Sequence, residues 1–94
     1  MTYLVIGRDH KDGFERRQQN RAAHLEGAKK LKEEGKLLYA VAILEEGKMA
    51  GSVMVMNFDS EAELNDWKAN EPYLTGDVWG SVEITEGAVA PLFS

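Results

Sequence analysis

A histidine inside a charged segment is the residue of this chain with the clearest chemical potential. His24 follows Arg21-Ala22-Ala23, and helical periodicity places it on one stripe with Ala28 and Leu31. We expect that stripe to face the core. An imidazole there is either a hydrogen-bonded core group or a general acid or base, because a neutral imidazole exchanges protons near pH 7. The residue alone leaves both interpretations open.

Two carboxylates are candidates to orient this imidazole. Glu71 precedes Pro72 at the end of a predicted second helix, and Asp9 ends the predicted first strand. When two helices lie side by side on a sheet, the start of one and the end of the other can be close. Glu71 could then fix the tautomer of His24, and the alternative is a solvated carboxylate at a helix end.

Two further residues are candidates to bind a substrate. Arg21 precedes His24 by three residues, near enough on a helix to hold an anion beside it. Arg17 lies in the same narrow helical arc as His24, with Arg21 to one side. Arg16, Arg17 and Arg21 form a basic stretch, for which ion pairs with acidic neighbours are the alternative. Tyr39, on a predicted strand, could line a pocket with its hydroxyl group.

No cofactor or metal site is predicted. The chain has no cysteine and no HxH or HExxH pattern, and its second histidine, His10, lies in a predicted turn. There is no glycine-rich phosphate loop and no serine or cysteine nucleophile elbow. The other conspicuous aromatic residues are predicted to be core or interface groups rather than ligand-stacking groups: Trp67, Tyr73 and Trp79.

Length and charge limit the class of protein. Ninety-four residues suffice for one domain, residues 1–94, whose core is marginal unless it associates. A net charge of −5 gives no general attraction for nucleic acid. The longest apolar run, Leu37 to Leu44, is too short to span a membrane, and the N-terminal segment does not resemble a signal peptide. We therefore expect no membrane partner and a cytoplasmic location.

The apolar pattern changes period several times along the chain. The predicted order is strand, helix, strand, strand, helix, strand, which is the βαββαβ arrangement of ferredoxin-like α+β folds. Two helices then cover one face of a four-stranded antiparallel sheet. The predicted elements are Tyr3 to Ile6, Phe14 to Glu34, Leu37 to Leu44, Met49 to Phe58, a helix opened by Ser60, and Val78 to Thr85, with Ala88 to Phe93 as an edge strand or arm. Gly35 is predicted to stop the first helix, Ser60 and Glu63 have the spacing of a capping box, and Gly47 marks the hairpin turn.

Both faces of the predicted sheet are apolar. An antiparallel sheet with one face in water should alternate apolar and polar residues. In strand two, strict alternation places Leu37, Tyr39, Val41 and Ile43 on one face and Leu38, Ala40, Ala42 and Leu44 on the other. Two helices cover only one face, so we expect a second copy to cover the other, which makes a homodimer with a barrel-like core.

These residues give the chain a resemblance to a family. From about Met1 to Thr85 it resembles the YciI-like (YCII-related) proteins, small domains of the dimeric α+β barrel superfamily. The resemblance rests on the motifs Arg21-Ala22-Ala23-His24-Leu25, Glu71-Pro72-Tyr73 and Gly76-Asp77-Val78-Trp79. It implies that His24 is the proposed catalytic residue, with a pocket beside the sheet. Some relatives resemble dehydrochlorinases and muconolactone isomerases, which act on ring compounds.

The chain departs from the family pattern at two points. Members typically have aspartate where this chain has Glu71, and Gly-Pro where it has Val41-Ala42. The second strand is therefore expected to run straight into a tight hairpin, with a reshaped pocket.

Two functions follow as hypotheses. The first is an enzyme that transfers protons on a small, anionic ring compound, of isomerase or dehydrochlorinase (lyase) type. Its catalytic residues would be His24, Glu71 and Asp9, and Arg21 and Tyr39 would bind the substrate. The second is a non-catalytic, dimeric ligand-binding or interaction domain, which the two departures favour.

Overall fold

Runs of apolar residues separated by short turns build four strands, and two longer polar segments build the main helices. The computed structural model describes residues 1–93. The strands are β1 (Thr2–Asp9), β2 (Leu37–Glu45), β3 (Lys48–Asn57) and β4 (Trp79–Gly87), and the helices are α1 (Phe14–Glu33), α2 (Glu61–Asn70) and α3 (Pro72–Thr75). A single 3₁₀ turn, Pro91–Phe93, follows β4.

The strands form one antiparallel sheet in the order β2-β3-β1-β4. This confirms the predicted α+β, ferredoxin-like βαββαβ fold, and α3 adds one helical turn before β4. The core lies between the sheet and the helices. Its buried apolar residues are Tyr3, Val5, Leu37, Met54, Met56, Phe58, Leu64, Trp67, Tyr73, Val78 and Trp79.

The predicted alternation holds in β3. Met54 and Met56 are almost completely buried on the helix side. Val53 and Val55 alternate with them and lie on the opposite face, because successive strand residues point to opposite sides.

The predicted faces of β2 are wrong at one end of the strand. Leu37 pairs with Met56 and is buried, whereas Tyr39 pairs with Val55 and is exposed, with a register shift between the two pairs. The extra residue, Leu38, forms a β-bulge that reverses the alternation. Leu37 therefore lies on the helix side and not on the face of Tyr39.

The helix ends follow the predicted signals. Gly35, with φ of 75°, lies just after α1, and the hydroxyl of Ser60 accepts a hydrogen bond of 3.2 Å from the backbone N–H of Glu63 at the start of α2. The carboxylate of Glu63 reaches back to the backbone N–H of Asp59 instead of that of Ser60.

The hairpin between β2 and β3 is tight, as predicted. Its two central residues, Glu46 and Gly47, both have positive φ, at 51° and 80°. This is the geometry of two-residue hairpin turns. The strand passes through Val41-Ala42 without a longer loop.

Two predicted segments differ at the chain ends. β1 extends beyond Ile6 to Asp9, where its register with β4 shifts beside Trp79. The tail after β4 forms a 3₁₀ turn at residues 91–93 and no edge strand.

Helix α1 packs on the sheet mainly through polar groups. Its buried residues are Arg17 and His24, with Ala28 and Leu31 partly buried beside the core. The predicted stripe thus faces the sheet, but charged groups occupy part of it. Within residues 1–93, every helix is too short or too polar to cross a bilayer.

The face of the sheet away from the helices carries exposed apolar side chains. Leu4, Tyr39 and Val41 are exposed there by 39%, 69% and 52%. We refer to this surface, which also includes Val53 and Val55, as the open face.

Candidate functional site

His24 and Glu71 form a buried pair between α1 and the segment that joins α2 to α3. Nδ1 of His24 and Oε1 of Glu71 are in close hydrogen-bond contact. Both side chains are at least nine-tenths buried. The carboxylate accepts at Nδ1, so the neutral imidazole carries its proton there and leaves the lone pair on Nε2.

The chain bends at Glu71, and the bend places the Glu71 carboxylate against His24. Glu71 has an extended backbone between α2 and α3, as expected for a residue before proline. Its Oε1 also accepts a hydrogen bond of 3.2 Å from the backbone N–H of Tyr73. The carboxylate therefore caps α3 and holds His24 with the same oxygen atom.

Tyr73 fixes the plane of the imidazole. The rings of His24 and Tyr73 are stacked, with centroids 3.8 Å apart and planes 9° apart, and Trp79 contacts both rings edge-on. Burial raises the pKa of the Tyr73 phenol above its ordinary value, although the nearby Arg17 cation opposes this. Tyr73 is therefore uncharged at neutral pH.

A second buried pair lies beside the first. The guanidinium of Arg17 donates from Nε to Oδ2 of Asp9 at 2.8 Å and from Nη2 to Oγ of Ser52 at 2.8 Å. The Arg17 and Asp9 side chains are only 4% and 5% exposed. The guanidinium carbon of Arg17 also lies 4.6 Å from the centroid of the Tyr73 ring.

These groups surround a cavity of about 180 Å³ between α1 and the sheet. Polar and aromatic groups line one part of it, and small or apolar residues of β2 and β3 line the rest. The lining residues are Arg17, Arg21, His24, Leu25, Ala40, Val41, Ala42, Met49, Ser52, Met54 and Tyr73.

His24 lines this cavity, and Nε2 is the nitrogen of its ring that no other described residue binds. In the described part of the chain, the side-chain nitrogens that are both enclosed and unpaired are the indole nitrogens of Trp67 and Trp79. Nε2 of His24 is not one of them, so it is accessible. Because His24 lines the cavity, Nε2 is available to exchange a proton with a molecule bound there.

The structure brings three of the predicted residues together. His24 and Glu71 are in contact, and Arg21 lines the same cavity from the exposed side of α1. Asp9 lies close by but contacts Arg17, so it approaches the histidine only through Arg17 and the Tyr73 ring.

Tyr39 is separated from the others. It lies on the open face, in a groove with Leu4, Leu38 and the tail, on the far side of the sheet from His24. The β-bulge at Leu38 and the strand alternation set this direction. Within one copy of the chain, Tyr39 cannot line the cavity of His24.

Three residues of the site were given no role in it beforehand: Arg17, Ser52 and Tyr73. The helical spacing placed Arg17 on the face of His24, and both side chains are buried on that face, but no contact with the site was assigned to Arg17. Tyr73 follows Glu71 by two residues, and its position after Pro72 could have indicated a joint role. Nothing in the sequence distinguishes Ser52 from other serines.

The second histidine lies outside the cavity. Nε2 of His10 is 2.9 Å from Oδ1 of Asp77, at the surface where the loop before α1 meets the turn before β4. Among residues 1–93, no three histidine, aspartate or glutamate side chains are grouped as a metal ion would require.

Known proteins share this sequence pattern. The family model described as the YCII-related domain matches residues 1–87. An uncharacterized protein of Haemophilus influenzae is 30% identical over 89 residues, which are 87% of this chain and 91% of that protein.

Solved structures share the fold. The 5-chloro-2-hydroxyhydroquinone dehydrochlorinase TftG of Burkholderia phenoliruptrix, in complex with 2,5-dihydroxybenzoquinone, superposes with a TM-score of 0.87 at 23% identity, covering 96% of each chain. An antibiotic biosynthesis monooxygenase superposes with a TM-score of 0.58 at 13% identity, covering 97% of this chain and 100% of that one. These likenesses agree with the predicted ferredoxin-like α+β fold.

Proposed function

The chain belongs to the YCII-related family, and from this premise we propose that it is an enzyme that moves protons on a small, anionic ring compound. One observation carries the proposal: a buried carboxylate–histidine pair whose histidine lines a cavity and keeps Nε2 free of any partner among the described residues. This pairing of a base with an orienting group is the usual arrangement for general acid–base catalysis.

Each residue has a distinct role in this proposal. His24 gives and takes the proton at Nε2, and Glu71 holds the opposite nitrogen so that this tautomer persists. Glu71 also stabilises the imidazolium that forms when Nε2 takes a proton. Asp9 acts one step away, because it holds Arg17 against the Tyr73 ring that orients His24.

The cavity size supports a substrate with a single ring. An apolar cavity of about 150 Å³ accommodates benzene. The cavity here, at about 180 Å³, has room for one six-membered ring with small substituents. Arg21, exposed at its edge, supplies a positive charge for an anionic substituent.

Loss of hydrogen chloride from a chlorinated hydroxyhydroquinone is a reaction of the proposed type. A proton transfer from oxygen to the chlorinated ring carbon gives a keto tautomer. Removal of a second proton then expels chloride with the bonding electron pair and leaves a hydroxybenzoquinone. Carbon, oxygen and electrons balance without an external oxidant, and a single histidine can perform both transfers. The fold shared with TftG makes its substrate a reasonable first compound.

The test is turnover of 5-chloro-2-hydroxyhydroquinone, measured as chloride release and quinone absorbance. His24→Gln should lower kcat by at least about 100-fold, since general acid–base groups contribute about 10²–10⁴-fold. Arg21→Gln should mainly raise KM. Lys29→Gln, on the exposed side of α1, makes the same change of charge and should leave turnover unchanged.

Two outcomes would contradict the proposed enzymatic function. Equal kcat values for the wild type and His24→Gln would show that His24 does not take part in catalysis. If ring anions bind but a panel of chlorinated hydroquinones and muconolactones is not turned over, the chain is a ligand-binding domain on the same scaffold.

We also propose that a second copy covers the open face, which makes a homodimer. Exposed Leu4, Tyr39 and Val41 on a central sheet support this, since monomers rarely expose such a surface. In the dimer, Tyr39 would contribute to the interface instead of to the cavity of its own chain. The proposed location, the cytoplasm, rests on the sequence pattern.

A further inference from the structure

The guanidinium of Arg17 has unused hydrogen-bond donors. An arginine carries five N–H groups. Nε donates to Asp9, and Nη2 donates to Asp9 at 3.3 Å and to Ser52 at 2.8 Å. The two N–H groups on Nη1 donate to no residue in the described part of the chain.

Nη1 is the part of the guanidinium that is left for a ligand in the cavity. Arg17 is only 3% exposed, yet Nη1 is not among the enclosed nitrogens without a partner. The small accessible part of Arg17 therefore includes this atom, and Arg17 lines the cavity beside His24. A buried cation that lines a cavity and keeps two free donors is suited to bind an oxygen atom, because unmet buried donors are costly.

Ser52 adds a third donor at the same place. Its Oγ accepts from Nη2 of Arg17, so its own O–H remains to donate, and Ser52 also lines the cavity. The side chain is fixed by β3, and Ser52 as a whole is only 6% exposed. Arg17 and Ser52 thus place converging donors on rigid elements.

The positions of the charges favour a negatively charged oxygen beside Arg17 and Arg21. The carboxylates of Asp9 and Glu71 are already held, by Arg17 and by His24. Arg21 is exposed, has no ion pair among residues 1–93 and places a positive charge at the edge of the same cavity. An anionic group can therefore enter beside Arg21 and bind the free donors of Arg17.

We propose that Nη1 of Arg17 and the hydroxyl of Ser52 form an oxyanion-binding subsite, which takes the carboxylate or phenolate oxygen of a ring compound. Arg21 attracts the anion from the cavity edge, and Arg17 binds it. Arg17 and His24 lie two turns apart on α1 with the Tyr73 ring against both. A ring held by its oxygen at Arg17 therefore extends toward Nε2 of His24. The subsite deepens the proposed function and rests on it for the identity of the ring.

The test measures binding without turnover. Benzoate and 2,5-dihydroxybenzoquinone, an acidic hydroxyquinone that is ionised at neutral pH, are titrated into the intact protein by calorimetry, with benzamide as the uncharged counterpart of benzoate. ¹⁵N-labelled protein reports the Nε–H signal of Arg17 at the same time. The anions should bind and shift this signal, and benzamide should bind at least about tenfold more weakly.

Three variants locate the anion. Arg17→Lys keeps the charge but loses the fork of donors, and it should weaken benzoate binding by about tenfold or more. Ser52→Ala, a milder change that spares the Arg17–Asp9 pair, should weaken binding severalfold. Arg21→Gln should weaken benzoate binding and also reduce its salt dependence. Lys29→Gln is the matched control and should bind like the wild type.

The outcomes separate this inference from the enzyme proposal. His24→Gln should retain anion binding, because the subsite does not include His24. If the wild type binds anions but turns over no substrate, the proposal of an enzyme is contradicted and the subsite is not. The subsite is wrong if no anion binds to the wild type. It is also wrong if Ser52→Ala and Arg17→Lys bind benzoate as tightly as the wild type, whether or not the protein has turnover.

Discussion

At the scale of residues, Glu71 joins local structure to chemistry. Its backbone ends α2, its carboxylate caps α3 through the N–H of Tyr73, and the same oxygen holds Nδ1 of His24. The aspartate typical of relatives would reach less far along this path. The longer glutamate side chain still contacts the imidazole, so this departure from the family pattern preserves the pair.

The first prediction separates the two roles of Glu71. Glu71→Ala removes the acceptor of two buried N–H groups and should lower the free energy of unfolding by about 2–4 kcal/mol, since each unmet buried donor costs about 1–3 kcal/mol. Glu71→Gln keeps an oxygen acceptor and should cost less than half as much. Urea unfolding of both variants provides the measurement. Equal losses would show that the negative charge, and not the acceptor, stabilises this corner.

At the scale of elements, local signals predicted most of the fold. Period changes, the glycine after α1, the cap at Ser60 and the hairpin turn identified the strands and helices. The bulge at Leu38 was not predictable, because it arises where β2 must keep pairing with β3 while Leu37 turns into the core. Because of that one residue, Tyr39 does not share a face with Leu37, as strict alternation had predicted.

The site was predictable only where charge stood out against an apolar pattern. His24 and Glu71 were recognised because one lies on a core stripe and the other precedes proline. Arg17 was placed on the helical face of His24, but its pairing was not predicted, since its partner Asp9 is eight positions away on a different element. Tertiary pairing, which no local pattern encodes, turned it into a buried group.

The second prediction concerns the ion pair between Lys36, just before β2, and Glu63 in α2, whose charged atoms are 2.8 Å apart. The hydrogen bond from Lys36 lowers the pKa of Glu63 below 4.5, and the hydrogen bond to Glu63 raises the pKa of Lys36 above 10.5. Because the folded state favours the charged forms, the pair stabilises the fold between these values. Its contribution is lost as the pH falls through the lowered pKa of Glu63 or rises through the raised pKa of Lys36.

Chemical unfolding of the wild type and Glu63→Gln over a range of pH provides the check. The difference in unfolding free energy should be constant from about pH 5 to about pH 10 and shrink as the pH falls toward and below the lowered pKa of Glu63, where the carboxyl is protonated in both states. A difference that persists unchanged at low pH would show that the carboxylate charge does not matter. Glutamine retains an acceptor for the N–H of Asp59, so the comparison isolates the charge.

At the scale of the whole molecule, the open face is the surface without a partner. Leu4 lies on β1, a central strand, and pairs with Val55 of β3 and Thr85 of β4. An apolar surface across central strands differs from the scattered exposed side chains of a monomer. A second chain would remove it from water, and a domain of 94 residues gains most from such burial.

The third prediction tests this association. Sedimentation or light scattering should give the wild type about twice the chain mass of 10.5 kDa. Leu4→Glu places a charge in the middle of the open face and should shift the protein toward the monomer, because burying an unpaired carboxylate is costly. Leu92→Glu makes the same change on the exposed tail and should leave the mass unchanged. A wild type that sediments at 10.5 kDa would contradict the dimer.

The attachment of α1 has an evolutionary consequence. Its two buried residues, Arg17 and His24, also line the cavity. Selection for a stable fold therefore acts on the same positions as selection for chemistry. A descendant that no longer met its substrate would keep these residues until new apolar contacts replaced them. Among such relatives, the exposed Arg21, which has no ion pair in the described part of the fold, should be the first position to vary in sequence. Its replacement would then indicate that the proposed activity has been lost.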